Sequence, residues 1–518
     1  MFTPLACALL LVVVALVPVV IRRHRRKRCE GEPPLIDGWI PFLGKALEFR
    51  KDAHKFLEEQ RKNFGDVFTI HMAGRYMTFI MDPLMYPAVI KEGRRLDFHE
   101  FSGRAAPAAF GYPRITEGTF PGLAEQIERA YGLLRGEQLT ALTQSMMGNL
   151  MTLFRQDHLK PGATWRERGL YDFCLDVMLE ATFLTLYGRP AQGSRHTHAA
   201  QLKTHFVHFD EAFPLLIAQV PAWLLGRARA ARRKLTDYLA APGMSDWADA
   251  SLFIRRRAQL LEGHPVMGDA DKAAHHLAML WASVANTAPA AFWATYHLLR
   301  HPEALRAVRQ EILEVLERSG RGFSDDMDLA LAAEQLDHMI LLGRKPAAAV
   351  ASHARLTCRW SSESTVHESL RMSSASINIR VAQEDLNLRL DAERVVAVRR
   401  GDIVALYPRS VHMDAGIYEQ PQAFRFDRFA HQTEFFKDGQ KLRHYLMPFG
   451  SGASICPGRF FAVNEIKQVV CLLLLYFDLR LEAGQPDPRP DGSRAGLGIP
   501  RPDQDVRFQY RLRSAVAR

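Results

Sequence analysis

One cysteine, Cys456, stands in the run Phe449-Gly450-Ser451-Gly452-Ala453-Ser454-Ile455-Cys456-Pro457-Gly458-Arg459. Glycines at 450, 452 and 458 remove side chains around the sulfur, so the backbone can approach a flat macrocycle and aim amide N–H groups at a thiolate. A thiolate held this way suits an axial iron ligand, and its charge pushes electron density onto the metal and favours O–O bond cleavage. A lone cysteine is far more often a small buried hydrophobe. Here the long apolar segment Phe460 to Phe477 follows at once and reads as a helix that anchors the loop.

Two further groups of residues carry chemistry. Glu368 and Arg371 are three apart on a helical pattern and face one side of it, and Phe426-Asp427-Arg428-Phe429 adds an arginine shortly before the cysteine loop. Trp281-Ala282-Ser283-Val284-Ala285-Asn286-Thr287-Ala288-Pro289 lies within a pattern that predicts one long helix over about 271–300. Pro289 denies that helix a backbone hydrogen bond, and the Thr287 hydroxyl is a proton donor in its middle. A helical threonine more often bonds back to its own backbone. The register of Thr287 with Asn286 and Pro289 favours the functional reading.

The loop resembles the haem-binding loop of the cytochrome P-450 family, whose Phe-x-x-Gly-x-x-x-Cys-x-Gly pattern fits Phe449, Gly452, Cys456 and Gly458. The resemblance implies a mainly α fold with a small β region, haem b on the Cys456 thiolate, and O2 as oxidant. It also implies electrons from NADPH through the NADPH-cytochrome P-450 reductase, with Lys437, Lys441, Arg443, Arg459 and Lys467 as basic residues to receive it. Glu368, Arg371 and Arg428 match the family's buried structural triad, in which one carboxylate accepts two guanidinium forks. Asn286 takes the place of the family's distal acid and Thr287 is kept. For the haem propionates the resemblance implies Arg380, and Arg135 with Tyr131 at the i, i+4 spacing of a Trp-x-x-x-Arg pair. The usual basic residue two before the cysteine is Ser454 here, which leaves one propionate without its partner.

Within the family the chain looks most like the sterol hydroxylases of bile-acid synthesis and their relative prostacyclin synthase, through Leu280-Trp281-Ala282-Ser283, Ser373 to Arg380, Met447 to Gly452 and Gly496-Leu497-Gly498-Ile499. The 7α-hydroxylase branch is nearest, and Leu35-Ile36-Asp37-Gly38-Trp39 with Ala282 to Thr287 resembles its oxysterol-acting members. The expected activity is therefore 7α-hydroxylation of an oxysterol. Cholesterol 7α-hydroxylation, sterol 12α-hydroxylation and endoperoxide isomerisation stay open, and Thr287 argues against the last because rearranging a bound peroxide needs no proton delivery.

The elements that must position these residues begin with a membrane anchor over residues 1–28. Leu5 to Ile21 is apolar, at the short end of a bilayer-spanning length, and Arg22-Arg23-His24-Arg25-Arg26-Lys27-Arg28 follows it, the order of a retained anchor rather than a cleaved signal. The resemblance and this order imply a single-pass protein of the endoplasmic reticulum membrane with a cytoplasmic catalytic domain. A proline-rich hinge over 29–44 and one catalytic domain over 45–518 complete the expected organisation.

The net charge of +10 is not a nucleic-acid signature. Six of its positive charges lie between Arg22 and Arg28, the remaining excess is four, and no nucleic-acid motif accompanies it. Six cysteines without paired spacing fit a reducing compartment. Val67 to Met72 and Tyr76 to Met81 read as a hairpin around Ala73-Gly74-Arg75, and strands return between Ile377 and Leu406. Phe209 to Leu225 is apolar and interrupted by two prolines; core packing accounts for it, and the family resemblance equally implies a membrane-facing connection beside the substrate entrance. Residues 343–362 interrupt a helix that otherwise reads from Leu336 through Glu368. They are expected to be translated intron or a gene-model error, with a surface loop as the alternative.

Overall fold

A computed structural model of the chain describes residues 26–40, 42–159, 164–189, 195–240, 249–318 and 361–513. The described elements are mainly helical with a small share of strand, the expected class. They form two compact units, 1–97 with 379–407, and 98–378 with 408–518. The expected anchor lies outside the described residues up to position 25, as do residues 343–360 of the expected insertion. Among the described residues no helix is long and apolar enough to cross a membrane.

The first unit is built on a six-stranded sheet: β1 (Leu35–Ile36), β2 (Val67–Met72), β3 (Arg75–Ile80), β4 (Leu96–Asp97), β5 (Asn378–Ala382) and β6 (Ile403–Leu406), in the order β1-β2-β3-β6-β5-β4. The second strand of the β2–β3 hairpin starts at Arg75, one residue before the expected Tyr76, because Ala73 and Gly74 both take positive φ, 50° and 71°, and form a two-residue turn. Register then sets Thr69 opposite Thr78, whose buried hydroxyls share a 2.8 Å hydrogen bond. Part of the segment expected as a hinge joins this sheet, since Leu35 and Ile36 pair in parallel with Thr69 and Ile70.

Just before it, Arg26 donates to Glu32 at 2.6 Å and to both oxygens of Asp402 at 2.8 and 2.6 Å, and lies over the Tyr76 ring. Burial alone would raise the Glu32 carboxyl, but hydrogen bonds from Arg399, the Cys29 amide and Arg26 bring it down to about 2. The end of the basic block is therefore part of the folded unit. Deleting residues 1–28 should destabilise the protein relative to deleting 1–25 by about 1–3 kcal/mol, since only the longer cut removes the Arg26 partner of a buried carboxylate. Thermal unfolding of the two truncations checks this, and equal midpoints would show that Arg26 contributes nothing.

The second unit is a helical body: α1 (Gly136–Leu153), α2 (Leu170–Tyr187), α3 (Arg195–Ile217), α4 (Gly226–Leu239), α5 (Leu252–Glu262), α6 (Asp269–Val284), α7 (Thr287–Arg300), α8 (Pro302–Arg318), α9 (Ser361–Ser373) and α10 (Arg459–Tyr476), with a three-stranded sheet of Arg166–Gly169, Arg507–Leu512 and Phe477–Leu481. Helices α2, α7 and α10 bury residues nearly all round and form the centre of one hydrophobic core. Helix α10 carries an ionisable group into that core. Glu465 is 1% exposed and accepts a 2.9 Å hydrogen bond from the Thr182 hydroxyl. Burial pushes its carboxyl up to about 8.

The unfolded chain releases this proton near 4.5 and the folded chain near 8, so stability is full below the first value and falls as pH rises towards the second. At ~1.4 kcal/mol per unit the loss is on the order of 5 kcal/mol. Glu465→Gln keeps an acceptor for Thr182 and cannot ionise. Its unfolding free energy should exceed the parent's above pH 8 and converge with it below pH 5; parallel pH profiles would refute the assignment.

Candidate functional site

The cysteine loop takes its shape from backbone that side chains would obstruct. Gly450 and Gly452 have φ of +78° and +58°. A Cβ on Gly450 would stand 3.1 Å from both Asn378 Oδ1 and the Ser454 carbonyl. The Cys456 amide closes the loop on the Phe449 carbonyl at 2.8 Å, a single 3-10 turn spans Gly452–Ser454, and α10 starts at Arg459, one residue before the predicted apolar segment. Burial pushes the Cys456 thiol up, while the Gly458 and Arg459 amides and the Arg459 charge act against that shift. Two N–H groups thus address the sulfur, and a bound metal cation would complete the ionisation. Amide donors at a soft ligand, glycines where Cβ atoms would intrude and a buried unpartnered amide at Asn378 Nδ2 together fit a flat, thiolate-ligated macrocycle.

The long helix expected over 271–300 is two helices. It breaks at Ala285–Asn286, because Pro289 has no N–H for the Ala285 carbonyl and Asn286 turns to φ −107°, ψ −33°. Asn286 Oδ1 accepts the Ile499 amide at 3.0 Å, and a Cβ on Gly498 would come within 2.3 Å of that oxygen. Asn286, expected beside Thr287 as a replacement acid, is thus the fastener between the helix break and the 496–499 turn. Thr287 is buried and donates its hydroxyl to the Ser283 carbonyl at 2.6 Å.

One turn before the break, Trp281 stacks on Phe213 at 3.7 Å between ring centres, and Phe110 lies against Phe209, Phe213 and Trp281 at 5.5–5.8 Å. This aromatic wall is held by a buried ion pair. Asp210 accepts from Trp281 Nε1 at 2.8 Å and from Arg494 Nη2 at 2.9 Å, while Arg494 Nη1 reaches the Asp210 carbonyl. Asp210 and Arg494 were not legible as a pair, being 284 residues apart, and single charges in amphipathic sequence look like solvated ones. The apolar stretch from Phe209 divides: Phe209, Phe213 and Leu216 are core, whereas Trp223 and Leu224 are 71% and 57% exposed.

The Glu368–Arg371–Arg428 group is brought together with no solvent contact of consequence. Arg371 donates Nε and Nη2 to the two oxygens of Glu368 at 2.8 Å each, and Arg428 Nε reaches both at 3.0 Å. Further guanidinium N–H groups donate to the carbonyls of His412, Glu419, Gln420 and Ala423. This clamp ties α9 to the segment that leads into the cysteine loop.

Other expected residues are placed differently. Tyr131 and Arg135 do not share a helical face: Tyr131 sits in a 3-10 turn, Arg135 is extended, and Gly136 has φ +57°. Arg135 is exposed and its charge acts on Arg459, and a Cβ on Gly458 would meet Leu134 at 3.9 Å, so this turn packs on the cysteine loop. Arg380 is described with the first unit, buried on β5, where its Nη1 donates to the Ile379 carbonyl. Ser454 spends its hydroxyl on the Ser451 carbonyl. Lys467, expected to face a redox partner, is buried on α10 and paired with Glu363 at 3.6 Å; the all-round burial of that helix overrides its charge. Lys437 is paired with Asp414 and Lys441 with Glu434, and Lys441 and Arg443 are exposed.

The sequence profile of the cytochrome P-450 family matches residues 33–339 and 362–508. Cytochrome P-450 7B1 of Mus musculus is 39% identical over 503 residues, 96% of this chain and 93% of that protein. Cholesterol 7-alpha-monooxygenase of Cricetulus griseus is 38% identical over 515 residues, 97% of each. The 7-alpha-hydroxycholest-4-en-3-one 12-alpha-hydroxylase of Homo sapiens is 35% identical over 506 residues, 94% of each.

Proposed function

The chain belongs to the cytochrome P-450 family, and from that premise we propose that it is a sterol monooxygenase of bile-acid metabolism, acting at the 7α carbon of an oxysterol. The observation that carries the reading is near full-length similarity to relatives whose names state 7α and 12α oxidation of sterols. The choice of an oxysterol rests on Leu35 to Trp39 and Ala282 to Thr287. Cholesterol 7α-hydroxylation and 12α-hydroxylation are the competing regiochemistries.

Haem bound through the Cys456 thiolate supplies activation of O2, one atom entering a sterol C–H bond and the other leaving as water with two electrons from NADPH and two protons. Phe449, Gly452 and Gly458 shape the seat around the sulfur, and Arg135 and Arg380 are the basic residues for the propionates. Glu368, Arg371 and Arg428 keep α9 and the approach to the loop in place. The wall of Phe110, Phe209, Phe213 and Trp281 excludes water from an apolar substrate. Thr287, whose Oγ1 donates to the Ser283 carbonyl, would be the hydroxyl that holds a proton for the reaction. Asn286 positions the 498–499 backbone.

The exposed apolar side chains Trp39 and Phe42 in one unit, and Trp223 and Leu224 in the other, support a protein at the endoplasmic reticulum membrane behind an anchor over 1–28. Exposed Arg443, with the exposed Lys441–Glu434 pair close to it in sequence, offers the basic surface to receive the reductase. The family match passes over 340–361, which supports reading 343–362 as foreign to the domain; peptides from within 344–359 in the native protein would sink the gene-model-error account.

Incubation with reductase, NADPH and a sterol panel tests the function, and the 7α-hydroxylated oxysterol is the expected main product. A 12α product, or a product formed without NADPH, would move the assignment to a competing reading. In the same assay Thr287→Ala should consume NADPH while product per NADPH falls at least about tenfold. Unchanged coupling would leave Thr287 with only its helical bond to Ser283.

A further inference from the structure

Two observations meet at one edge of the cysteine loop. Ser454 stands where a basic residue is expected, and its hydroxyl is engaged with the Ser451 carbonyl. Asn378, 7% exposed, has a side-chain Nδ2 that is sealed from solvent and has no hydrogen-bond partner. The two residues adjoin, because Asn378 Oδ1 and the Ser454 carbonyl each lie 3.1 Å from the point that a Cβ on Gly450 would occupy. Gly450, with φ +78°, leaves that space to the amide. Buried amide donors are nearly always satisfied, so a donor left open beside a ligand seat points to an acceptor on the ligand.

We propose that Asn378 Nδ2 donates to a haem propionate and takes over the contact that a basic residue at position 454 would make. The proposal rests on the haem-thiolate reading of the site. Its chemistry is specific: a carboxylate is acceptor-only when ionised, an amide N–H is a neutral donor, and an N–H bond to a charged acceptor in a dry site is among the stronger hydrogen bonds. A neutral donor also leaves the carboxylate's charge uncompensated, which lowers the reduction potential relative to a site with a cation there.

The test measures transfer of haem from the purified full-length holoprotein to apomyoglobin, for the parent, Asn378→Leu, Asn378→Asp and the double variant Asn378→Leu, Ser454→Arg. Asn378→Leu should lose haem about tenfold faster than the parent. The double variant should return to within about threefold of it and show a higher reduction potential, because arginine restores a donor to the same carboxylate. A structural asparagine would not be rescued from position 454. Should the leucine variants fail to fold, the near-isosteric Asn378→Asp decides: its carboxylate repels a propionate, so it should release haem faster than the parent and release haem dimethyl ester at the parent's rate. Parental haem loss in Asn378→Leu or Asn378→Asp, or no rescue by Ser454→Arg, overturns the proposal. A parent chain that takes up no haem would instead remove the reading of the site itself.

Discussion

Glu368→Ala is expected to yield no stably folded haem protein. The substitution removes the one carboxylate that accepts four guanidinium N–H contacts from Arg371 and Arg428, and leaves both cations where they are 0% and 4% exposed. Breaking a buried pair by deleting one partner typically costs about 3–5 kcal/mol, a large share of a marginal protein's stability of roughly 5–15 kcal/mol. Glu368→Gln should fall between, since it keeps one acceptor oxygen without the charge. Arg371→Lys should also be impaired, because a single ammonium cannot reach both oxygens in a fork. Soluble yield, haem content and thermal unfolding report the effect. A Glu368→Ala protein that melts within a few degrees of the parent would show that the clamp is replaceable.

Cys456→His is expected to abolish the thiolate signature of the reduced carbon-monoxide complex together with sterol hydroxylation. A neutral imidazole can ligate iron but supplies no anionic electron push, so haem can remain while oxygen activation is lost. The Gly458 and Arg459 amides, arranged for a sulfur anion, would face a ring with no charge to receive them. The position of the Soret band after reduction under carbon monoxide is the measurement. If the variant keeps the parent's band, Cys456 does not ligate the iron.

The cysteine loop could be read from the chain alone because its conformation depends on local chemistry. Glycines at 450 and 452 are needed where φ is positive, and the helix after Gly458 is visible in an unbroken apolar run. The Ala73–Gly74 hairpin, the Glu368–Arg371 spacing and the helical majority are equally local, each set by periodicity or turn preference within a dozen residues. Helix α6–α7 marks the limit. Pro289 announced a weakness, but the period of the apolar residues runs straight through it, so the break and the tie from Asn286 to Ile499 were visible only in three dimensions.

What the amino-acid order determined by itself was therefore the glycine-framed cysteine loop, the class of fold and the kind of reaction. Tertiary structure decided which charges are solvated and which are buried. Lys467, expected at the surface, is closed into α10 against Glu363, and Arg494, which carries no local motif, pins Asp210 behind the aromatic wall. Arg26 reads as part of a basic block after an apolar segment and is in addition a partner of Glu32 and Asp402. The physical reason is common to all three. A side chain's charge and hydrogen-bonding capacity are carried in its own residue, whereas its solvation depends on what packs against it from segments tens to hundreds of residues away, and no local pattern encodes that.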